Sequence, residues 1–176
     1  MALRNVLKQN DPVLRKKSKV VTVFDASLAN LFKDMEDTLR KEDGAGISAV
    51  QVGVLKRAFI IIDKKELVYV VNPEIISTKG RYKDLIEGCL SVPNKCGEVE
   101  RPNEVVAKYQ DLKGNFIERT FVGFSAKAFC HEYDHLDGIL YIDRATRMFD
   151  SYEDYYDYKD KLERLENKDK NKKKKK

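Results

Sequence analysis

The sequence predicts an α+β fold, in which short antiparallel β-sheets are flanked by about three helices, one of them a C-terminal helix. Three observations support this prediction. One segment carries apolar residues at helical spacing, and four β-rich runs form two pairs that are joined by short turns. The length of 176 residues suits a single domain.

The first predicted helix spans residues 25–40. Asp25 is a favourable N-cap, and the glycines at positions 44 and 46 end the helix because glycine tolerates backbone angles that other residues avoid. The apolar side chains recur at i, i+3, i+4, i+7 and i+11, which forms one helical face: Leu28, Leu31, Phe32, Met35 and Leu39.

Two pairs of strands are predicted after this helix. Residues 57–63 and 67–72 are rich in β-branched and aromatic side chains, and their short connection predicts a β-hairpin. Pro73 is expected to end the second strand. Residues 104–109 and 115–121 form the second pair, around the turn-like sequence D-L-K-G.

Two more helices and a tail complete the chain. A helix is predicted over residues 125–137, with Ser125 as its N-cap and Gly138 directly after its end. Another spans residues 151–167, and its tyrosines and leucines share one face that we expect to dock on the body of the protein. The tail, residues 168–176, has nothing to bury, so we expect it to be disordered.

The positive charge is concentrated in that tail. The net charge is +5, but residues 168–176 contain seven Lys and one Asp, so the rest of the chain is close to neutral. This distribution argues against a globally basic domain that binds DNA. No apolar run approaches the ~20 residues of a membrane span. The first residues lack a secretion signal, and an odd number of cysteines favours a reducing, cytoplasmic location.

The strongest local signal is H-E-Y-D-H at residues 131–135. Residues four apart on a helix share a face, so the imidazoles of His131 and His135 can reach one metal ion. Glu132 lies beside the first imidazole, where its carboxylate can hold a proton taken from water. The chain has no other histidine, which favours a metal site over two ordinary helix histidines.

A catalytic zinc-like site needs a third protein ligand and keeps a fourth position open for water. The sequence offers two candidates: the carboxylate of Glu153, and the thiolate of Cys89 in the turn-like segment E-G-C-L-S. Cys130 lies next to the first histidine but points about 100° away around the helix. Cys96 is expected in a surface turn.

A further segment, G-A-G-I-S-A-V-Q at residues 44–51, has glycines and small side chains that allow a backbone to approach a ligand closely. It is neither a dinucleotide fingerprint nor a phosphate loop, because it follows a helix and lacks G-K-S/T. Three segments of the chain together resemble the three signature motifs of bacterial peptide deformylases. They are, in chain order, G-A-G-I-S-A-V-Q, E-G-C-L-S and H-E-Y-D-H. The resemblance covers residues 5–147.

This resemblance implies a metallohydrolase domain over residues 1–150, built around the central metal-binding helix. The implied reaction removes the N-formyl group from the N-terminal methionine of newly synthesised polypeptides and releases formate. The resemblance also implies the site residues: Cys89, His131 and His135 as metal ligands, Glu132 as general base, Gln51 and the Leu90 backbone N–H at the oxyanion, and Gly46, Ile47 and Gly88 at the substrate.

The resemblance also implies a cofactor and partners. Cysteine plus two histidines is compatible with Fe²⁺, Zn²⁺, Ni²⁺ or Co²⁺, and the resemblance favours Fe²⁺. The expected substrates are N-formylmethionyl nascent peptides. Contact of the C-terminal helix and Lys-rich tail with the ribosome is a further hypothesis, and no membrane or DNA partner is expected.

Two alternatives stay open at this point. One is a zinc metallo-endopeptidase that uses Glu153 with the two histidines, and the other is a non-catalytic binding module stabilised by a metal.

The chain also departs from the family pattern at four positions. Ser48 and Val50 stand where Ala and Pro are common, and Cys96 and Cys130 stand where Arg and Gln are common.

Overall fold

The computed structural model of the chain describes residues 3–173, without the side chains of residue 166 and residues 168–173. Four α-helices lie in this range: α1 (Ala26–Lys41), α2 (Phe124–Leu136), α3 (Tyr141–Arg144) and α4 (Tyr152–Lys173). The strands are β1 (Gly46–Ser48), β2 (Ala58–Asp63), β3 (Glu66–Lys79), β4 (Ile86–Cys89), β5 (Val92–Glu98), β6 (Glu104–Gln110), β7 (Phe116–Val122) and β8 (Arg147–Phe149). Short 3₁₀ helices span Pro12–Arg15 and Ala49–Val52.

The strands form two antiparallel sheets. The larger sheet has the order β1-β2-β3-β6-β7, and the smaller one has the order β4-β5-β8. The predicted α+β class is therefore confirmed. Both β1 and β4 lie at the edge of their sheet, so each has one side without a strand partner. None of the described helices has both the length and the apolar character needed to cross a bilayer.

Helix α2 packs between the two sheets. The centre of its Phe129 ring lies 5.1 Å from the ring centre of Phe59 on β2 and 4.9 Å from that of Phe121 on β7, in the main core of the larger sheet. On the other side, Lys127 and His131 reach residues of β4 and the loop before it. Burial of each large apolar side chain contributes roughly 1.5–3 kcal/mol, so this core holds α2 firmly beside the edge of β4.

The predicted first helix and the hairpin are confirmed. The Asp25 side chain caps α1 by accepting a hydrogen bond from the Leu28 N–H at 3.0 Å. Strands β2 and β3 pair antiparallel across a two-residue turn. Lys64 and Lys65 in that turn have φ values of 50° and 74°, which is the conformation that matches the twist of a tight hairpin.

Strand β3 does not end at Pro73, as we predicted, but continues to Lys79. The register against β6 shifts between Val71 and Glu74, so the proline lies in a bulge where its missing N–H breaks no ladder bond. Asn72, in the left-handed region at φ 50°, stabilises the bulge by exchanging side-chain hydrogen bonds with the Val21 backbone.

The predicted N-cap of α2 is wrong. Gly123 occupies the cap position with φ 66°, and Ser125 lies inside the helix. The Ser125 hydroxyl donates instead to Asp63 Oδ1 at 2.6 Å, which links α2 to the end of β2. Ser125 is therefore used for a buried tertiary contact rather than for capping.

Helix α4 runs past its predicted end at residue 167 and includes residues 168–173, which we expected to be disordered. No glycine or proline interrupts this segment, and lysine is a good helix former. Residues 174–176 lie outside the described residues. Only the start of the predicted docking face is used: Tyr155 is buried, whereas Leu162 and Leu165 are exposed.

Candidate metal centre and active site

Three predicted ligands from two elements lie close together. Cys89 ends β4, and His131 and His135 lie one turn apart on the same face of α2. Their candidate ligand atoms all lie within 4.8 Å of one another, with Cys89 Sγ 3.3 Å from His135 Nε2. Among residues 3–173, no second group of three or more His, Cys, Asp or Glu side chains is arranged in this way.

These donors fit a divalent transition metal. Burial disfavours the Cys89 thiolate, but positive charge and hydrogen bonds from His135 and His131 outweigh burial and hold the pKa of this thiol well below its ordinary value. The thiolate is the form that binds metals. One thiolate and two imidazoles form a three-ligand set, and no fourth ligand belongs to the group in the described part of the chain. Such a set leaves a coordination position open.

A buried carboxylate orients His131. Glu87 Oε2 lies 2.9 Å from His131 Nδ1, which donates to it and so leaves Nε2 for a metal. Burial alone would raise the pKa of Glu87, but hydrogen bonds and charge from His131 and Arg101 lower it to about 2. Glu87 is therefore an anion that fixes both the tautomer and the rotation of the ring.

Glu87 belongs to a buried charge network. Arg101 donates to Glu87 at 2.8 and 3.1 Å and to Asp134 at 2.6 Å, and all three side chains are buried. Arg144 also donates to Asp134, at 2.6 and 2.8 Å. We did not predict this network from the sequence. Its members come from β4, α2, α3 and the loop between β5 and β6, so no local spacing indicates it.

Arg101→Ala is expected to lower the free energy of unfolding by ~3–5 kcal/mol, because it leaves the buried Glu87 carboxylate without its guanidinium partner. Denaturant unfolding of protein prepared in a single metal state would measure this loss. The control is Arg81→Ala, which removes an exposed ion pair with Glu100 and should cost less than ~1 kcal/mol. Equal effects of the two substitutions would contradict a stabilising role for the network.

Glu132 directly follows the ligand His131 in sequence, and it is buried. The Ser48 hydroxyl donates to Glu132 Oε2 at 2.5 Å, and a Cβ placed on Gly46 would lie 2.7 Å from Oε1. The absence of a side chain at position 46 therefore makes room for this carboxylate. Burial raises the pKa of Glu132, although both histidines and the Ser48 hydroxyl act in the opposite direction.

The amide of Gln51 lies against the cysteine ligand. It is buried in the 3₁₀ helix that follows β1, and its Oε1 accepts a hydrogen bond from the Ser48 N–H at 2.8 Å. Its Nε2 donates to Cys89 Sγ at 3.5 Å and to the Ser91 hydroxyl at 3.1 Å. The carbonyl oxygen is thus fixed, and the amide nitrogen is turned towards Cys89 and the neighbouring Ser91.

A cavity of about 360 Å³ opens onto this group. The edge strands β1 and β4 contribute Gly46 and Gly88 to its wall, and Gln51, Leu90 and Glu132 also line it. The Leu90 carbonyl accepts a hydrogen bond from Lys8 at 3.0 Å. Five of the predicted catalytic and substrate residues therefore line one cavity together with the ligands Cys89 and His131, while His135 is buried behind them.

Ile47 does not contribute its side chain to that cavity, contrary to our expectation. It is fully buried in the core beneath α1, together with Phe32 and Ile60. Alternation along β1 explains this placement, because successive side chains of a strand point to opposite faces of the sheet. Ala45, Phe124 and other residues of α2 line the cavity in its place.

The residues behind the two alternative interpretations lie outside the cluster. Glu153 is exposed in the first turn of α4 and does not belong to the ligand group. Cys96 is buried in β5 rather than in a surface turn, and its Sγ donates to the Ser151 carbonyl at 3.4 Å. Burial raises the pKa of Cys130 to about 11, so this side chain stays a neutral thiol. Neither an endopeptidase set with Glu153 nor a closed four-ligand site is favoured.

Comparison with known proteins agrees with this geometry. The family model of polypeptide deformylase matches residues 3–150. The peptide deformylase of Caldicellulosiruptor bescii is 50% identical over 153 residues, covering 87% of this chain and 92% of the relative. The solved peptide deformylase of Thermotoga maritima is 38% identical with a TM-score of 0.81, covering 84% of this chain and all of the other.

A third comparison concerns a structure solved with a bound peptide. The class I type b peptide deformylase of Acinetobacter baumannii with bound Met-Ala-Ser is 34% identical with a TM-score of 0.77, covering 81% of this chain and 98% of the other. The sequence motifs, the ligand geometry and all three comparisons agree. The chain therefore belongs to the polypeptide deformylase family.

Proposed function

We propose that this chain is a peptide deformylase that hydrolyses the N-formyl group of newly synthesised polypeptides at a metal ion held by Cys89, His131 and His135. The observation that carries the proposal is the convergence of these three side chains, with Cys89, His131 and the buried Glu132 on the wall of a cavity that two strand edges border. One relative was solved with Met-Ala-Ser bound, and a deformylated peptide of this kind is the product that the reaction would leave.

The family is metal-dependent, and the donors of the cluster suit a divalent ion. When bound, such an ion acts as a Lewis acid that makes water more acidic and polarises a carbonyl oxygen. A thiolate with two imidazoles accepts Fe²⁺, Zn²⁺, Ni²⁺ or Co²⁺, because availability and geometry decide between them. We propose Fe²⁺, which the resemblance of the three motifs favours.

Glu132 is proposed as the general base and acid of the reaction. Its carboxylate takes a proton from the attacking water and delivers it to the leaving amine. Two features support the role. Burial raises its pKa, which brings a carboxylate closer to the neutral pH at which it must exchange protons. The hydrogen bond from Ser48 fixes Oε2, so Oε1, beside Gly46, is the oxygen left to face water and substrate.

Attack on the formyl carbon creates negative charge on the formyl oxygen. We propose that the Gln51 amide and the Leu90 backbone N–H stabilise this charge as hydrogen-bond donors. The position of Gln51 Nε2, 3.5 Å from Cys89 Sγ, supports the role of its amide. The hydrogen bond from the Ser48 N–H to Gln51 Oε1 holds the amide in the orientation that turns Nε2 towards Cys89.

Gln51→Leu is therefore expected to lower kcat by about 10²–10³-fold, the usual cost of losing one oxyanion donor. Leucine has a similar size and is apolar, so it fills the buried position but cannot donate. Steady-state formate release at saturating substrate would measure the change. A loss of less than about threefold would contradict this role for Gln51.

The peptide is expected to bind as an additional strand. Gly46 and Gly88 lie on the two edge strands that border the cavity, and an extended peptide can pair with an exposed strand edge through its backbone. The methionine side chain would then enter the apolar part of the cavity near Leu90 and the start of α2.

The test is formate release from formyl-Met-Ala-Ser, compared between Cys89→Ala and Glu153→Gln. The deformylase proposal requires Cys89 and predicts that Glu153→Gln keeps the rate of the unsubstituted protein. An endopeptidase that used Glu153 would give the reverse result, and a binding module would release no formate.

Contact of the C-terminal helix and the tail with the ribosome stays a prediction, since the side chains that would make it are largely outside the described residues.

A further inference from the structure

One residue of the cavity wall comes from the C-terminal helix. Tyr152 is the first residue of α4, and it lies two positions beyond the segment that the family model matches. The other lining residues come from the segments that carry the three motifs, from β5 and from α2. The proposed substrate site therefore includes a side chain that the family motifs do not supply.

Tyr152 lies over the face of β4 at Gly88. A Cβ placed on Gly88 would be 2.2 Å from the Tyr152 hydroxyl oxygen, so the end of the ring occupies the space that a side chain would need. Side chains of a strand project from the faces of the sheet, whereas its N–H and C=O groups point along the edge. The ring therefore covers the face at Gly88 and leaves the hydrogen-bonding edge open for a peptide.

Local contacts fix the position of Tyr152. The Ser151 hydroxyl accepts a hydrogen bond from the Asp154 N–H at 3.1 Å, which caps the start of α4. One turn later, the buried Tyr155 ring packs edge-to-face on Phe149 of β8, with the ring centres 5.3 Å apart. These contacts connect the first turn of α4 to the smaller sheet, so Tyr152 is held over β4.

The Tyr152 side chain is available for a ligand. It is 46% exposed, and its hydroxyl makes no hydrogen bond to any residue in the described part of the chain. A second exposed aromatic ring, Phe124 at the start of α2, also lines the cavity. An aromatic ring with an unused hydroxyl offers apolar contact area and one hydrogen-bond donor to the same ligand.

We propose that Tyr152 is a specificity-determining residue that contacts the part of the peptide following the formylated methionine. The inference rests on the proposed function and deepens it. A peptide paired with the edge of β4 places alternate side chains over the face that Tyr152 covers. The formylated methionine reaches the metal ligands, so the residues after it are the ones that pass Tyr152 along the strand. Its ring would pack on that part of the chain, and its hydroxyl would donate to a peptide carbonyl.

Substrates of two lengths test this proposal on the metal-loaded enzyme. Tyr152→Ala is expected to lower kcat/KM for formyl-Met-Ala-Ser by about fivefold to tenfold, mainly through KM, as for loss of one aromatic contact. For formyl-Met alone, the change should stay below about twofold. Tyr152→Phe separates the ring from the hydroxyl and should give an intermediate loss.

Tyr156→Ala is the matched control. Tyr156 lies on the same helix and is 60% exposed, but it does not line the cavity. This variant should keep the unsubstituted kinetics for both substrates. Calorimetric binding of the product Met-Ala-Ser gives a readout that is independent of turnover, and only the Tyr152 variants should bind it more weakly.

Equal losses on both substrates, or unchanged binding of Met-Ala-Ser to Tyr152→Ala, would overturn the assignment and leave Tyr152 a structural residue. Failure of the inference differs from failure of the proposed function. If the unsubstituted enzyme released no formate from either substrate, the function itself would be wrong, whereas a Tyr152 variant that discriminates as the unsubstituted enzyme does would remove only the specificity role.

Discussion

Glu132→Gln is expected to lower kcat for formyl-Met-Ala-Ser by about 10²–10⁴-fold, the usual contribution of a positioned acid or base. Glutamine has the shape of glutamate, and its carbonyl oxygen can still accept the hydrogen bond that Ser48 donates to Oε2. It cannot take a proton from water. The loss should therefore appear in formate release at saturating substrate, without a matching loss of bound metal or of stability.

Glu153→Gln provides the matched control, because it makes the same change at an exposed carboxylate of α4. It should keep both metal content and rate. If Glu132→Gln retained more than about a third of the unsubstituted rate, Glu132 would not be the base. If it lost the metal as well, the carboxylate would act in holding the ion rather than in proton transfer.

Cys89→Ala is expected to abolish formate release by preventing stable metal binding. Metal affinity should fall by more than about 100-fold, because even a partner that only supports a ligand typically contributes 10–100-fold. Without Cys89, the metal would have only two imidazoles as protein ligands and two open coordination positions instead of one. Metal content after gel filtration, measured by elemental analysis, would check this expectation directly.

Cys130→Ala separates the loss of a ligand from the loss of a thiol. Cys130 lies beside His131 in sequence, but its side chain is in the core against the larger sheet and outside the ligand group. This variant should keep its metal and its activity, at a modest cost in stability. Full metal binding by Cys89→Ala, or loss of metal from Cys130→Ala, would contradict the assigned ligand set.

Local patterns predicted the parts of the site that are local in sequence. The spacing of four between His131 and His135 is enough to place both rings on one helical face, and α2 has this geometry. Cys89 is different, because it lies more than 40 residues before the first histidine. The residues alone left Glu153 as an equal candidate for the third ligand, and the choice depended on the resemblance of three ordered motifs.

Features that depend on tertiary contacts were not predictable in this way. The strands β4 and β8 are only four and three residues long, and β5 contains proline, lysine and glycine, so their sequences do not show the alternation of a half-buried strand. The ion pairs of Arg101 with Glu87 and Asp134 join separate elements, and no periodicity connects them. Strand β3 passes Pro73 because a bulge accommodates it.

Within the site, the difference between Gly46 and Ile47 shows the same limit. Both belong to the motif at residues 44–51, and both were expected at the substrate. Which of two neighbours faces the cavity depends on the register of β1 against β2, where Gly46 pairs with Ile61 and Ile47 with Ile60. A change of one residue in this register would exchange their roles, and the motif itself does not specify it.

In the proposed reaction, Cys89, His131 and His135 hold one divalent ion at which the formyl group is hydrolysed. The most direct test measures bound metal and formate release from formyl-Met-Ala-Ser on the same samples, before chelation, after chelation and after metal is added back. Activity should disappear with the metal and return in proportion to its uptake, up to one ion per chain. Formate release that persists in metal-free protein, or metal uptake that restores no activity, would contradict it.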